Sequence, residues 1–281
     1  MSPLQVHHFS SCPFTGGAAR AGYRLHQGLR QQDVDSRWID GSGTCLANSD
    51  IIPLEFPKER PSVARRIRRR HLGDLIRKAR RGTANFASNP LGWATPPTFE
   101  KLPKPNLWNL HWVANCMDWE VTLPWLTEQA PVVWTLHDLN PLQGIWHYEP
   151  SRHEASGLES RVIEMKQRVL KRIPKDRLLF AAPSRWIQDQ CQNSPVTAGF
   201  PTMHIPYGVD CDIFQPRNSH ELRTLFDLPQ DAQILGFVAE SIHDPRKGLH
   251  MLVEALQRLN EKTKITLVTL GGSQLPEFGL P

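Results

Sequence analysis

The sequence predicts an α/β protein built on a parallel sheet, and three observations lead there. Short apolar runs recur, at "LQVHHFS", "NLWNLHW", "PVVWTLHD", "LLFAAPS" and "MHIPYG". Stretches with helical apolar spacing, or irregular ones, lie between them. After "IPYGVDCDIFQPR" the same alternation restarts. Near-continuous apolar strands separated by helices belong to a sheet covered on both faces, which is the parallel kind. A chain of 281 residues has room for about two domains, each able to bury a core. The pattern places the first at 1–208, a linker at 209–218 and the second at 219–281.

In chain order, "LQVHHFS" is a short strand, followed by a Gly-rich turn. "AARAGYRLHQGLRQQ" follows with Ala18, Ala21, Leu25 and Leu29 at helical spacing. "DSRWIDG" and "DIIPLEF" read as short strands. Residues 58–81 carry Val63, Ile67, Leu72, Leu75, Ile76 and Ala79 on roughly one face, which predicts an amphipathic helix. Residues 82–105, rich in Gly, Pro, Ser and Thr, read as a loop. Four apolar strands come next, and the clearest helix among their connections is 157–174. In the second domain "QILGFVA" and "TKITLVTLGG" are strands. Between them "DPRKGLHMLVEALQRL" is a helix with Leu249, Leu252, Val253, Leu256 and Leu259 in register. Two parallel strands and one helix leave an unpaired edge and an uncovered apolar face, so the second domain is expected to be incomplete.

Composition narrows the class. At 40% hydrophobic and 22% charged residues the chain has globular composition. No apolar run approaches the roughly 20 residues of a membrane span, and the first residues have neither the basic nor the apolar region of a signal peptide. The five cysteines (Cys12, Cys45, Cys116, Cys191 and Cys211) are scattered, with no C-x-x-C. A disulfide framework or zinc knuckle is not expected, and a reducing cytoplasm is. Charge is concentrated: residues 58–81 carry +9 of a chain whose net charge is +5, leaving the remainder at −4. Two readings of this basic helix stand, a solvated helix and a helix lying on an anionic membrane surface. Nucleic acid is not expected, because no Phe, Tyr or Trp lies between Pro57 and Asn85 to stack a base. Nor is there a Walker loop or a G-x-G-x-x-G.

Six pieces carry a family resemblance by their joint order: "GGAARAGYRL" after the first strand, "NLHWV" at 109–113, "VVWTLHD" at 132–138, "APSRWI" at 182–187, "IPYGVDCDIFQP" at 205–216 and "FVAESIHDPRKGL" at 237–249. Together they resemble the GT-B glycosyltransferases of family 4, closest to the bacterial polysaccharide-type (group 1) enzymes. The resemblance implies a complete Rossmann-like N-terminal domain on the acceptor side and a partial Rossmann-like domain on the donor side. The implied reaction is transfer of a sugar, with retention, from a nucleotide-diphosphate sugar to a carbohydrate or lipid-linked acceptor in cell-surface polysaccharide synthesis. No metal or other cofactor is implied. The implied location is the cytoplasm, peripheral on the inner face of the membrane where the basic helix binds it. The chain departs from the family in four places. "LQGIW" replaces a Cys-containing turn, Ala239-Glu240 stands for the usual Gly-Arg, and Tyr207 stands for an Asn. The acidic donor-binding motif is expected downstream of residue 281. An inactive sugar- or anion-binding remnant is therefore the alternative.

The chemistry requires positive charge and backbone N–H groups around a departing diphosphate. Arg246 and Lys247 precede a helix, whose N-terminus adds partial positive charge. By resemblance Lys247 contacts the diphosphate, and Arg246 is a shifted stand-in for the Arg of Gly-Arg. Gly16 and Gly17 let a ligand approach the backbone at the first strand-to-helix turn. Arg20, one helical turn on, faces either that cleft or solvent. His137 stands at the carboxyl end of its strand, the edge that binds ligands in open α/β sheets. By resemblance its imidazole or its carbonyl contacts the donor sugar. Asp138 either shares that role or holds the turn. His111, at a similar height, either lines the acceptor side or is a core-edge histidine. His7, His8, His111, His137 and His147 lack metal-ligand spacing, so no zinc site is expected. Asp33-Val34-Asp35 and Asp210-Cys211-Asp212 match Asp-x-Asp but read as turn and linker residues.

Overall fold

A computed structural model of the chain describes residues 3–11, 16–43, 50–57, 61–150, 157–259 and 264–272. Cys12, Cys45, most of the first Gly-rich turn and the first three residues of the basic segment lie outside them. The chain divides into two compact units, Met1–Val209 and Asp210–Pro281.

The first unit runs β1 (Gln5–Ser10), α1 (Gly17–Arg30), β2 (Asp35–Asp40), β3 (Ile51–Pro53), α2 (Val63–Ala79), α3 (Pro96–Phe99), β4 (Leu107–Leu110), α4 (Thr122–Gln129), β5 (Val132–Thr135), α5 (Gly157–Leu170), β6 (Leu178–Ala182), α6 (Arg185–Asn193) and β7 (Thr202–His204). The seven strands form one sheet in the order β3-β2-β1-β4-β5-β6-β7, and every pairing is parallel. The strand order reverses between β1 and β4. Outside the carboxyl ends of those strands lies the crevice where such sheets bind ligands. The core is aromatic: Trp38, Trp108, Trp134, Phe9 and Phe180 are almost wholly buried on the strands, and Trp146 beyond β5.

Three helical or loop assignments need correction. The period of α1 is as predicted, but its phase is one residue off. The buried line is Ala19, Gly22 and His26, while Leu25 is exposed. The reason is close approach: a Cβ on Gly22 would stand 2.8 Å from His111 Nδ1, so a leucine stripe cannot face the sheet there. In α2, Ile76 is buried and Leu72 and Ala79 pack on the core, yet Val63 and Ile67 are 67% and 63% exposed. The N-terminal half of α2 is held instead by ion pairs, Arg65 with Asp118 at 3.0 Å and Arg68 with Glu120 at 2.6 Å. Residues 82–105 are a packed strap rather than a free loop. They contain α3, bury Leu91, Ala94 and Phe99, and bridge from Ala87 to Trp146 and from Leu91 to Asp118. Apolar residues spaced irregularly through a Gly/Pro-rich stretch gave no periodic signal for this.

The second unit contains α7 (His220–Leu225), β8 (Gln233–Val238), α8 (Leu249–Gln257) and β9 (Ile265–Leu270). β8 and β9 pair in parallel. The apolar cluster is small: Ile242, Leu249 and Val253, with Phe237, Leu252 and Leu267 packed on it. Leu259, expected on the buried face of α8, is 51% exposed beyond the helix end. Among the described residues no helix is long and apolar enough to cross a membrane.

Candidate functional site

Two networks of polar side chains leave the carboxyl end of β5. The first begins at His137. Its Nδ1 meets the Tyr207 hydroxyl at 2.7 Å, and its Nε2 meets His111 Nδ1 at 3.0 Å. His111 Nε2 in turn meets His8 Nδ1 at 2.9 Å. The Tyr207 hydroxyl also lies 2.9 Å from the Leu136 carbonyl oxygen. With its proton donated there, His137 must donate through Nδ1, and each following imidazole must do the same. The chain then ends in an unprotonated Nε2 on His8, which has no partner among the described residues. The opposite sense would leave a buried N–H unsatisfied and the Leu136 carbonyl without this donor, which is costlier. Burial pushes His137 down to about 4, against the charge of Asp138, and His8 down to about 3. Burial and the neighbouring imidazoles hold His111 well below its usual value. The three rings are therefore neutral at pH 7. His111 is buried at 2% exposure, so it does not line an open acceptor surface. At one end of this chain His26 braces α1 through Ser36 Oγ at 2.8 Å and Asp50 at 3.2 Å, its ring 5.6 Å from that of His8.

The second network is centred on Asp138. One carboxylate oxygen accepts from the Asn140 amide at 2.9 Å. The other accepts from Trp112 Nε1 at 2.8 Å and His147 Nδ1 at 2.6 Å. Burial alone would raise this carboxyl, but the His147 hydrogen bond and the other donors outweigh it and hold it below the usual range. His147 Nε2 lies 2.8 Å from Ser88 Oγ. Ser88, His147 and Asp138 thus have the connectivity of a nucleophilic triad. Ser88 and His147 are only 3% and 1% exposed, however, and the trio braces the 82–105 strap against the turn instead.

The turn after Asp138 is held from below by α5. Glu159 accepts from the amides of Gly144 at 2.5 Å and Ile145 at 2.7 Å. A Cβ on Gly144 would lie 2.5 Å from Glu159 Oε2, so glycine is needed for that approach. Lys166 donates to the carbonyls of Asn140 at 2.6 Å and Gln143 at 2.8 Å, with its Nζ 4.5 Å from the Trp119 ring centroid. Burial lowers Lys166 to about 7, with Glu159 and Asp138 opposing the shift. The space left among His111, Trp112, His137, Asp138 and His147 is about 10 Å³. A ligand at this edge therefore meets a prebuilt rim of backbone and the outer side of His137, rather than entering between the rings. Both ring nitrogens of His137 are already engaged, so a contact through its imidazole would displace one of these hydrogen bonds, whereas one through its backbone carbonyl would not.

The other expected residues are placed as follows. Gly16 caps α1 and Gly17 begins it, at the carboxyl-end side of β1; a Cβ on Gly17 would meet nothing within 4 Å. Arg20 is exposed on the first turn of α1. In the second unit Arg246 and Lys247 lie in a 3-10 turn, Pro245–Lys247, joined to α8 through Gly248 at φ +78°. The Arg246 guanidinium is gripped by Asp244 and Lys247 is exposed. Asp33 sits in a left-handed turn at φ 59°, Asp35 pairs with Arg37, and Asp210 caps the amides of Asp212 and Ile213. Among the described residues no three His, Cys, Asp or Glu side chains converge as a metal-ligand set. Sequence reasoning missed Glu159 and Lys166. Their signal was present: both fall on the apolar stripe of α5 with Val162 and Val169, where a charged residue needs a reason. Ser88 and Trp112 carried no such signal.

No family model matches the chain. A D-inositol 3-phosphate glycosyltransferase of Streptosporangium roseum is 25% identical over 175 residues, covering 58% of this chain and 35% of that protein. The chain thus spans about a third of that relative's length. Among solved structures, a glycosyltransferase from Rickettsia africae ESF-5 aligns with 96% of this chain and 69% of its own, at 11% identity and a TM-score of 0.49.

Proposed function

We propose that the chain is part of a retaining GT-B glycosyltransferase of the family 4 type. It moves a sugar from a nucleotide-diphosphate sugar to a carbohydrate or lipid-linked acceptor in surface polysaccharide synthesis. The observation that carries the reading is the crevice at the β1/β4 reversal. There the Gly16–Gly17 turn and the braced His137–Asp138 turn stand at the same edge of one parallel sheet. The sequence similarity to a glycosyltransferase agrees with it. In this reading Lys247 and Arg246, at the turn before α8, offset the growing charge of the leaving diphosphate, and no metal takes part. His137 positions the donor sugar through its backbone carbonyl, while Asp138 keeps the turn in shape. The exposed Val63 and Ile67, flanked by arginines, meet an anionic membrane that carries the acceptor.

The test is a panel of nucleotide-diphosphate sugars offered to the purified protein, scored for donor hydrolysis and transfer with and without EDTA. The expected result is turnover unaffected by EDTA and reduced at least about tenfold in Lys247→Ala, the loss of one charge-assisted contact. Donor binding without turnover would favour a sugar-binding protein, and unchanged kinetics in the variant would remove Lys247 from the diphosphate site.

A further inference from the structure

The arginines of α2 divide into two sets. Arg65 and Arg68 are spent on Asp118 and Glu120. Arg66, Arg69 and Arg70 have no acidic partner among the described residues. They line, with Arg77, a concave site of about 530 Å³. Positions 66, 69, 70, 73 and 77 share one helix face at i, i+3, i+4, i+7 and i+11, and Gly73 leaves the middle of that wall without a side chain. The facing wall is Asn89 and Asn115. Asn89 donates to the Arg69 carbonyl at 2.9 Å, and Asn115 Oδ1 accepts from the Asn89 amide at 2.8 Å. Asn115 is held in the left-handed region at φ 58°, and its amide nitrogen has no partner among the described residues. Among the described residues no carboxylate lines the site, although Asp74 pairs with Arg77 beside it.

We propose that this concavity binds a ligand bearing a doubly charged phosphate group, a phosphomonoester or diphosphate. Like charges gathered in one hollow repel, and a hollow lined by one sign focuses its field on an incoming counter-ion. Guanidinium forks match phosphate oxygens two at a time, and the Asn115 amide supplies a neutral donor. A single carboxylate would leave most of this charge unmatched. The site is open to solvent on one side, so the rest of the ligand stays outside. Either a lipid headgroup or a soluble phosphate presents that chemistry. The inference does not depend on sugar transfer, because its readout is binding.

The experiment titrates the purified protein with inorganic pyrophosphate by calorimetry, and in parallel pellets it with phosphatidylcholine vesicles with and without phosphatidic acid. Arg66→Gln/Arg69→Gln/Arg70→Gln is compared with Arg168→Gln/Lys171→Gln/Arg172→Gln, an equal change of charge at the C-terminal end of α5. Saturable pyrophosphate binding, weakened about tenfold or more by the first triple and less than about threefold by the second, is the expected result. Gly73→Glu is a second variant. Its Cβ has ordinary contact room, 3.5 Å from Asn89 Nδ2, and it should abolish binding by placing a carboxylate in the wall. Pelleting that depends on phosphatidic acid and on the same arginines identifies a lipid headgroup. Pyrophosphate binding without pelleting identifies a soluble ligand. Loss of pelleting alone in Val63→Ser/Ile67→Ser removes the membrane contact and leaves the pocket standing. Equal weakening by both triples, or no saturable binding of either probe, overturns the proposal.

Discussion

His137 and Asp138 are neighbours in sequence, yet their side chains enter opposite kinds of environment. His137 is one of three neutral imidazoles whose protons are shared in one direction and whose positive forms are suppressed by burial. Asp138 joins a carboxylate to three donors, and its charged form is reinforced. Successive residues leaving a strand point to opposite sides. At this edge one side faces His8 of β1 and His111 just beyond β4, and the other faces the turn and the strap. The difference separates two functions of buried polarity. The imidazole chain is a set of hydrogen bonds without charge, whereas the carboxylate is a charge that organises backbone.

The comparison can be broken most severely at the carboxylate. Asp138→Ala leaves the Trp112 and His147 ring N–H groups and the Asn140 amide without their acceptor, and a loss of about 3–5 kcal/mol in urea unfolding is expected. A loss under about 1 kcal/mol would mean the turn is held by Glu159 and Lys166 alone.

Acid sharpens the contrast next. His137 and His8 have folded values of about 4 and about 3, below the ordinary 6.5. Their contribution is whole above pH 6.5 and is lost as pH falls toward 4, because only the unfolded chain then binds the proton. The slope is up to about 1.4 kcal/mol per pH unit per histidine. Asp138, with its folded value depressed below 3.8, loses its contribution only at lower pH still. Urea midpoints from pH 7 to 4 should therefore fall, and the fall should flatten in His137→Phe if the variant keeps its fold. An unchanged slope would show that His137 is not neutral in the folded state.

The smallest change is Tyr207→Phe. It removes the hydroxyl from His137 Nδ1 and the Leu136 carbonyl at about 0.5–1.5 kcal/mol. It should also shift the His137 ring nitrogen resonances. Shifts confined to the substituted ring, with the His137 nitrogens unmoved, would disprove the hydrogen bond between Tyr207 and His137.

Much of the scaffold was legible from pattern. β1, β4, β5 and β6 fall in the expected apolar runs, because a strand buried on both faces is largely apolar, and β2 falls in the short strand expected at "DSRWIDG". The phase of α1 was not legible, because the residue that faces the sheet is set by how closely helix and strand approach, and Gly22 signals only that a close contact exists. The site was half legible. His111, His137 and Asp138 announced themselves as polar residues where buried strands end. The residues that complete the two networks and the turn, Tyr207, Ser88, Trp112 and Glu159, lie from 14 to 71 residues away from the groups they bind, at separations no local period encodes. The same holds in the basic segment, where eleven like residues read as one charge run and ion pairs across about fifty positions set Arg65 and Arg68 apart from Arg66, Arg69 and Arg70.

By itself the sequence determined the α/β class, the restart of the pattern near residue 210, the concentration of positive charge and the placing of His137 and Asp138 at a strand's end. These follow from local periodicity and composition, which depend only on near neighbours. Only the tertiary structure decided that His137 is neutral and doubly hydrogen-bonded, that Asp138 is a brace, and which arginines of α2 are already neutralised. Those outcomes depend on desolvation and on donors brought in from distant segments, and neither exists until the sheet is assembled.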